Sequence, residues 1–171
     1  MNGHRQNLVF IGMPGSGKST VGVLVAKRLG LGFVDTDLLI QQEAGRTLQE
    51  IVDEDGYQAL RHIEEQVLLA LDVQGQVIST GGSAVYSEAA MRHLKASGTV
   101  VFLDISLKRV IERIGDHSSR GISRRPEQSL AELFDERFAL YTRYADVTVN
   151  GEELNQDQVC EAVIKGLAWG E

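Results

Sequence analysis

The sequence predicts an α/β protein whose doubly wound, five-stranded parallel sheet is flanked by helices. Short β-rich runs alternate with helical patterns along the 171 residues, and this alternation gives parallel strands covered by helices on both faces. Val77-Ile78 and Val100-Val101-Phe102-Leu103 are continuously apolar, as expected for strands buried on both sides. A hydrophobic content of 43% is ample for one sizeable core.

The individual elements follow from periodicity and from the residues that end each run. Strands are predicted at 7–12, 32–35, 76–80, 99–104 and 146–149. Helices are predicted at 18–29, 36–44, 47–71, 86–96, 106–115, 128–144 and 155–168. Glycine is common just after a helix, and Gly30, Gly45 and Gly98 lie where three of these helices should end.

The chain length favours one domain over residues 1–171, because 171 residues are few for two cores. One segment, from Asp116 to Ser129, is poor in apolar residues and contains Arg120, Gly121 and Pro126. A polar insert of this kind between two helices is typical of a mobile lid. We place the lid at about 116–127.

Composition narrows the possible partners. A net charge of −7 and a pI near 5.1 oppose a general nucleic-acid binder, which would carry a basic face. The single cysteine, Cys160, fits a reducing compartment and is expected to be buried. No apolar stretch approaches 18 residues. We therefore expect a soluble, cytoplasmic monomer that meets neither nucleic acid nor membrane and acts on a small molecule.

A phosphate-binding loop follows the first strand. Residues 12–19 read Gly-Met-Pro-Gly-Ser-Gly-Lys-Ser, a full match to GxxxxGK[ST], and they lie between the apolar run 8–11 and a helical pattern. Lys18 can reach the β- and γ-phosphates of a nucleoside triphosphate, and the Ser19 hydroxyl can ligate Mg²⁺. The predicted nucleotide contacts from this loop are Gly12, Gly15, Ser16, Gly17, Lys18, Ser19 and Thr20.

Such a loop occurs in kinases, GTPases and motors. The Asn-Lys-x-Asp segment that reads guanine is absent, and the chain is short for a large ATPase. A small-molecule kinase remains. It needs a group that orients the acceptor hydroxyl, cations that hold an anionic acceptor and neutralise charge, and a lid that excludes water.

Two acids end the second strand, at the edge where a doubly wound sheet places its ligand crevice. On an extended chain, Asp35 and Asp37 would point the same way. One carboxylate could then lie near Mg²⁺ while the other accepts a hydrogen bond from the substrate hydroxyl. Simple capping of the next helix is the alternative.

Two further segments have both a structural and a functional interpretation. Arg61 precedes Glu64 and Glu65 at helical spacings that allow an ion pair, either as a solvated salt bridge or as a braced fork for a substrate carboxylate. The Gly81-Gly82 pair follows the third strand and allows close backbone approach to a ligand, although a plain tight turn has the same composition.

Taken in order, these segments and Glu136-Arg137-x-x-Leu140-Tyr141 resemble the shikimate kinase family over nearly the whole chain. The resemblance implies the strand order 2-3-1-4-5 and phosphorylation of the shikimate 3-hydroxyl by ATP with Mg²⁺, a step of aromatic amino acid biosynthesis. It implies the following roles. Asp37 binds ring hydroxyls, Arg61 and Arg137 clamp the carboxylate, and Gly81 and Gly82 line the same pocket. Ser19 and Asp35 serve the metal, Arg120 is the lid cation, and Arg113 packs near adenine. The catalytic set would be Lys18, Asp37 and Arg120.

The departures from the family pattern lie where the acceptor is chosen. Leu60 replaces an aromatic residue, Ser83 a third glycine, Gly121 a lid proline, and Ala139 a proline. The lid is short, and Arg124 or Arg125 could supply its cation. The alternatives are therefore a kinase of another hydroxy acid or sugar acid, or a nucleotide-binding regulatory module without transferase activity.

Overall fold

The computed structural model describes residues 6–114 and 121–167. The strands are β1 (Asn7–Ile11), β2 (Gly32–Asp35), β3 (Gln76–Ser79), β4 (Gly98–Asp104) and β5 (Val147–Asn150). The α-helices are α1 (Lys18–Leu29), α2 (Thr36–Ala44), α3 (Leu48–Asp55), α4 (Tyr57–Ala70), α5 (Glu88–Ser97), α6 (Leu107–Ile114), α7 (Leu130–Tyr144) and α8 (Gln156–Leu167). A short 3₁₀ turn, Ala84–Tyr86, precedes α5.

The five strands form one parallel sheet in the order β2-β3-β1-β4-β5, which confirms the predicted fold. Asp35 at the end of β2 pairs with Ser79 at the end of β3, and Ser79 also pairs with Phe10 of β1. The loops that follow these three strands therefore leave the sheet at the same edge. None of the described helices is long and apolar enough to cross a membrane.

Alternate residues of β1 enter different cores, because successive side chains of a strand point to opposite faces. Leu8 and Phe10 lie in the cluster beneath α1 and α8, whereas Val9 and Ile11 lie in the cluster beneath α5 and α7. All four are fully buried. This arrangement explains why β1 appears in the sequence as an unbroken apolar run.

The prediction of one helix over 47–71 was wrong, since the chain turns at Gly56 between α3 and α4. Gly56 has φ 91° and ψ 167°, a conformation that essentially only glycine adopts. Thr47 and Glu50 form a reciprocal capping box that starts α3. The break lets α3 fold beside α4, where Ile40, Ile51 and Leu60 form a third small core.

The predicted helix ends at Gly30 and Gly45 are confirmed, and both glycines are in the left-handed conformation. Gly98 also ends its helix, but it has an extended backbone and begins β4 directly. Cys160 is buried, as predicted.

Candidate active site

One cavity of about 640 Å³ lies at the carboxyl edge of the sheet. The phosphate-binding loop forms one end, and residues from α2, α4, α7 and the Gly81-Gly82 loop form the other. Residues 121–123, from the segment predicted as a lid, also contribute to its wall. The cavity therefore brings together segments that are far apart in the sequence.

The loop after β1 has the backbone that a phosphate cradle requires. Gly12, Gly15 and Gly17 have φ values of 150°, 81° and 94°, which L side chains rarely adopt. A Cβ at Gly12 would lie 2.8 Å from the Leu103 carbonyl oxygen, so a side chain there has no room. The Ser16 hydroxyl is buried and has no hydrogen-bond partner in the described part of the chain, as expected for a group that awaits a phosphate oxygen.

Lys18 begins α1 beneath this loop and is 7% exposed. Its ammonium group donates to the carbonyl oxygens of Gly12 at 2.7 Å and Met13 at 2.9 Å. Burial lowers the pKa of Lys18 to about 8, and attraction to Asp37 works against that shift. An anionic phosphate in the loop would strengthen the charged form.

The two predicted metal residues are in contact. Ser19 Oγ donates to Asp35 Oδ2 at 3.0 Å and lies 3.1 Å from Ser79 Oγ. These oxygens suit Mg²⁺, which binds few protein oxygens and takes its other ligands from phosphates and water. Accordingly, no group of three or more His, Cys, Asp or Glu residues that could hold a metal occurs within 6–114 and 121–167.

Asp35 and Asp37 do not lie on one extended segment, so the prediction from strand spacing was wrong. Asp35 ends β2, whereas Asp37 is already in the first turn of α2. The Asp37 amide donates to Asp35 Oδ1 at 2.9 Å, so Asp35 does cap the helix. Its second oxygen still reaches Ser19, and capping and metal binding are therefore compatible.

Asp37 faces the acceptor end of the cavity. A Cβ on Gly81 would lie 2.7 Å from Asp37 Oδ1, and it would also touch Glu64 Oε2. Burial and the charge of nearby Asp35 raise the pKa of Asp37 to about 6, against the opposing effect of Lys18. The carboxylate is thus largely ionised at neutral pH and can accept a hydrogen bond from a hydroxyl.

Glu64 is a cavity residue that the sequence suggested only as a brace for Arg61. It is 3% exposed, and burial together with the charge of Asp37 raises its pKa to about 7. A signal was present in the sequence, because Leu60, Glu64 and Leu68 recur every four residues and form the buried face of α4. A glutamate within an apolar stripe indicates a buried functional acid.

Arg61 and Arg137 converge, as predicted, but on a group in the chain itself. Their guanidinium groups donate to the Ser123 carbonyl oxygen at 2.9 and 2.8 Å. Arg137 is 1% exposed, lines the cavity, and leaves its Nε buried without a partner among the described residues. Two arginines on one oxygen form a site where a carboxylate would be bound well.

The predicted ion pair between Arg61 and the glutamates of α4 is absent among the described residues. Glu64 accepts from Ser83 and Glu65 from Ser87, while the Arg61 guanidinium lies 3.7 Å from the Tyr86 ring centroid. Tyr86 therefore supplies an aromatic surface beside Arg61. Arg61 itself lines a smaller adjoining cavity of about 220 Å³.

Three more of the predicted residues, Gly82, Arg113 and Thr20, line the same cavity. The Gly82 carbonyl accepts from Tyr141 Oη at 2.6 Å, and a Cβ at Gly82 would lie 2.5 Å from Arg137 Nη1. Arg113 donates to the Gly15 carbonyl at 3.0 Å, which places it against the phosphate loop. Thr20 is exposed at the cavity edge. Arg120 lies outside the described residues, and neither Arg124 nor Arg125 lines the large cavity.

A family model described as shikimate kinase matches residues 14–168. The chain belongs to the shikimate kinase family. Membership confirms the resemblance seen in the motifs, the fold and the enzyme class, a phosphotransferase that acts on a hydroxyl group.

Relatives and solved structures of the family match nearly end to end. The shikimate kinase of Mycobacterium avium (strain 104) is 40% identical over 162 residues, which are 93% of this chain and 92% of the relative. The structure of the Acinetobacter baumannii shikimate kinase in complex with shikimate has a TM-score of 0.86 at 29% identity and covers 94% and 92% of the two chains. The Aquifex aeolicus enzyme gives a TM-score of 0.80 at 34% identity, with 96% and 99% covered.

Proposed function

We propose that this protein transfers the γ-phosphoryl group of ATP, with Mg²⁺, to the 3-hydroxyl of shikimate. Family membership supports this activity, and one structural observation carries it. A single cavity joins a phosphate cradle at one end to buried carboxylates and two converging arginines at the other. An acceptor that carries both hydroxyls and a carboxylate matches the second end.

At the nucleotide end, the backbone amides of Gly15, Gly17 and their neighbours hold the phosphates, and Ser16 fills its open hydrogen bond with a phosphate oxygen. Lys18 exchanges carbonyl partners for phosphate oxygens and neutralises charge that builds up during transfer. Arg113, held against Gly15, borders the base. Ser19 and Asp35 would hold Mg²⁺, which would supply electrostatic stabilisation of the phosphate oxygens.

At the acceptor end, Asp37 accepts a hydrogen bond from the reacting hydroxyl and orients it toward the cradle. Arg137 and Arg61 bind the carboxylate, and the buried Arg137 Nε gains a partner there. Gly81 and Gly82 have no side chains and therefore leave room for the ring. A Cβ at either position would collide with side chains of the cavity. Lys18 at the nucleotide end and Asp37 at the acceptor end attract each other electrostatically across the cavity.

We also propose that residues 1–171 form one domain that works as a monomer, with a lid at about 116–127. Contacts of the described part of the lid support its position over the acceptor end, since the Gly121 amide donates to Gln49 Oε1 at 2.8 Å and the Ser123 carbonyl oxygen accepts from Arg61 and Arg137. Closure of such a segment excludes water from the transferred group. Arg120 remains our candidate for the lid cation.

A coupled ADP-release assay with Mg-ATP and shikimate tests the function. Saturable turnover of about 1 to 10³ per second is expected, and ³¹P NMR would identify the 3-phosphate. Lys18→Ala should lower kcat by about 10³-fold or more. Lys27→Ala, an exposed lysine at the end of the same helix, should leave turnover unchanged. Near-normal turnover by Lys18→Ala would refute the assignment.

A kinase of another hydroxy acid or sugar acid is the second candidate, and the pocket residues Leu60 and Ser83 favour it. Leu60 and Ser83 both line the large cavity, and Ser83 also holds Glu64, so both alter the acceptor surface. A panel of hydroxy acids and sugar acids separates the two functions. Turnover restricted to another acceptor would establish the second candidate, and absence of turnover with retained ATP binding would favour the regulatory module.

A further inference from the structure

Glu64 is held by a neighbour from a different part of the chain. Ser83 Oγ donates to Glu64 Oε1 at 2.6 Å, and both side chains are buried. Within the described residues, this is the only hydrogen bond to the Glu64 carboxylate, and no cation lies within ion-pair distance of it. Arg61, one turn away on α4, is committed to Ser123 instead.

The other oxygen of Glu64 faces the acceptor end of the cavity. Glu64 Oε2 borders Gly81 on the side where Asp37 Oδ1 also approaches. Rotation about the terminal bond of a glutamate is soft, so a carboxylate without a partner would sample several directions. With Oε1 fixed by Ser83, Oε2 has one direction, into the space beside Asp37.

We propose that Ser83 is a positioning residue that acts through Glu64, aiming the free carboxylate oxygen at an acceptor hydroxyl bound beside Asp37 and Gly81. This inference rests on the proposed function. It makes Ser83 a determinant of acceptor specificity, because an acceptor without a hydroxyl at this place would leave a buried carboxylate unpaired.

The charge state of Glu64 also depends on Ser83. Burial and the charge of Asp37 from α2 raise the pKa of Glu64. The Ser83 hydrogen bond lowers this pKa, as do the charges of Arg137 from α7 and Lys18 from α1. The resulting pKa is about 7. Loss of the serine hydroxyl raises the pKa further. Since a protonated Glu64 no longer offers two accepting oxygens, acceptor binding weakens most on the acid side.

Steady-state kinetics of three variants test the proposal. Ser83→Ala should raise the acceptor KM about tenfold at pH 7, change kcat less than about threefold and leave the ATP KM unchanged. The acid limb of kcat/KM should move to higher pH, and Ser83→Thr, which keeps the hydroxyl, should restore it. Ser87→Ala is the matched control, because Ser87 donates to Glu65 on the same helix but away from the large cavity.

A double-mutant cycle shows whether Ser83 acts through Glu64. On a Glu64→Ala background, which removes the oxygen that accepts from Ser83, Ser83→Ala should have less than about a twofold further effect on KM. Effects that multiply would overturn the proposal. Absence of shikimate turnover by the unmutated protein would instead refute the proposed function.

A measurement that does not depend on turnover separates a failure of the Ser83 positioning role from a failure of the proposed function. In protein labelled with ¹³C at glutamate carboxyl groups, NMR titration should show the midpoint of Glu64 higher in Ser83→Ala than in the unmutated chain, and unchanged in Ser87→Ala. Glu64→Gln identifies the resonance. An unmoved Glu64 midpoint would overturn the positioning role whatever substrate the enzyme uses.

Discussion

Gly81 shows how one missing side chain makes room for chemistry. Its backbone lies against Glu64 and Asp37, and a methyl group there would come within 2.7 Å of Asp37 Oδ1 and closer still to Glu64. Both carboxylates are held in place, Glu64 by Ser83 and Asp37 by the start of α2. The position therefore requires glycine for space, with no positive φ involved.

We predict that Gly81→Ala lowers kcat/KM for the acceptor by about 10²-fold, because misplacement of a substrate by 1 Å costs about that much. ATP binding, measured by calorimetry, should stay within about threefold. Gly151→Ala is the matched control, since its methyl group would make ordinary contacts of 3.5 and 3.6 Å with Val159 and Ile105. Equal losses in the two variants would contradict this assignment.

At the scale of elements, local signals predicted most of the structure. The phosphate loop was predictable because its glycines, lysine and serine are consecutive and lie between an apolar strand and a helix. Strand ends fell within one residue of prediction because each is marked by a change from apolar to polar side chains. Helix 47–71 was predicted too long because apolar periodicity continues across Gly56, where the chain turns between α3 and α4.

The unpredicted parts of the site are long-range contacts. Ser83 and Glu64 are 19 residues apart, and Ser123 lies 62 residues from Arg61. Neither pair leaves a spacing pattern in the sequence, because the sheet and the fold of the chain bring them together. Glu64 could have been recognised as buried from its leucine neighbours on α4, but its partner could not.

We predict that Gly56→Asn lowers the free energy of unfolding by about 1–3 kcal/mol, because its backbone conformation is nearly exclusive to glycine. A Cβ at this position meets nothing within 4 Å, so the loss would come from the backbone and not from crowding. Gly45→Asn is the control: its φ of 67° and ψ of 20° lie in the left-handed region that asparagine tolerates. Urea denaturation should show a loss below about 1 kcal/mol there, and equal losses would refute the distinction.

For the molecule as a whole, the cavity concentrates buried charge that opposes folding. Lys18, Asp37 and Glu64 share one space between the sheet edge and α4. Each has its pKa displaced toward the neutral form, mainly by burial: Lys18 downward to about 8, Asp37 upward to about 6 and Glu64 upward to about 7. The fold therefore loses stability by holding these three groups in one buried site.

The signs of these shifts predict a shallow minimum in stability near pH 7 to 8 for the protein without nucleotide. Between about pH 4 and 7 the folded chain binds more protons than the unfolded chain at Asp37 and Glu64, so the free energy of unfolding falls as pH rises. Between about pH 8 and 10.5 the unfolded chain binds more protons at Lys18, so the free energy of unfolding rises.

Glu64→Gln removes one of these titrating groups. It should reduce the fall in the free energy of unfolding between pH 5 and 7.5 by on the order of 2 kcal/mol. Urea denaturation across this pH range measures the free energy of unfolding, and Glu43→Gln, on the exposed face of α2, is the control. If the free energy of unfolding changed with pH by the same slope in the unmutated chain and in both variants, Glu64 would not be the buried titrating group.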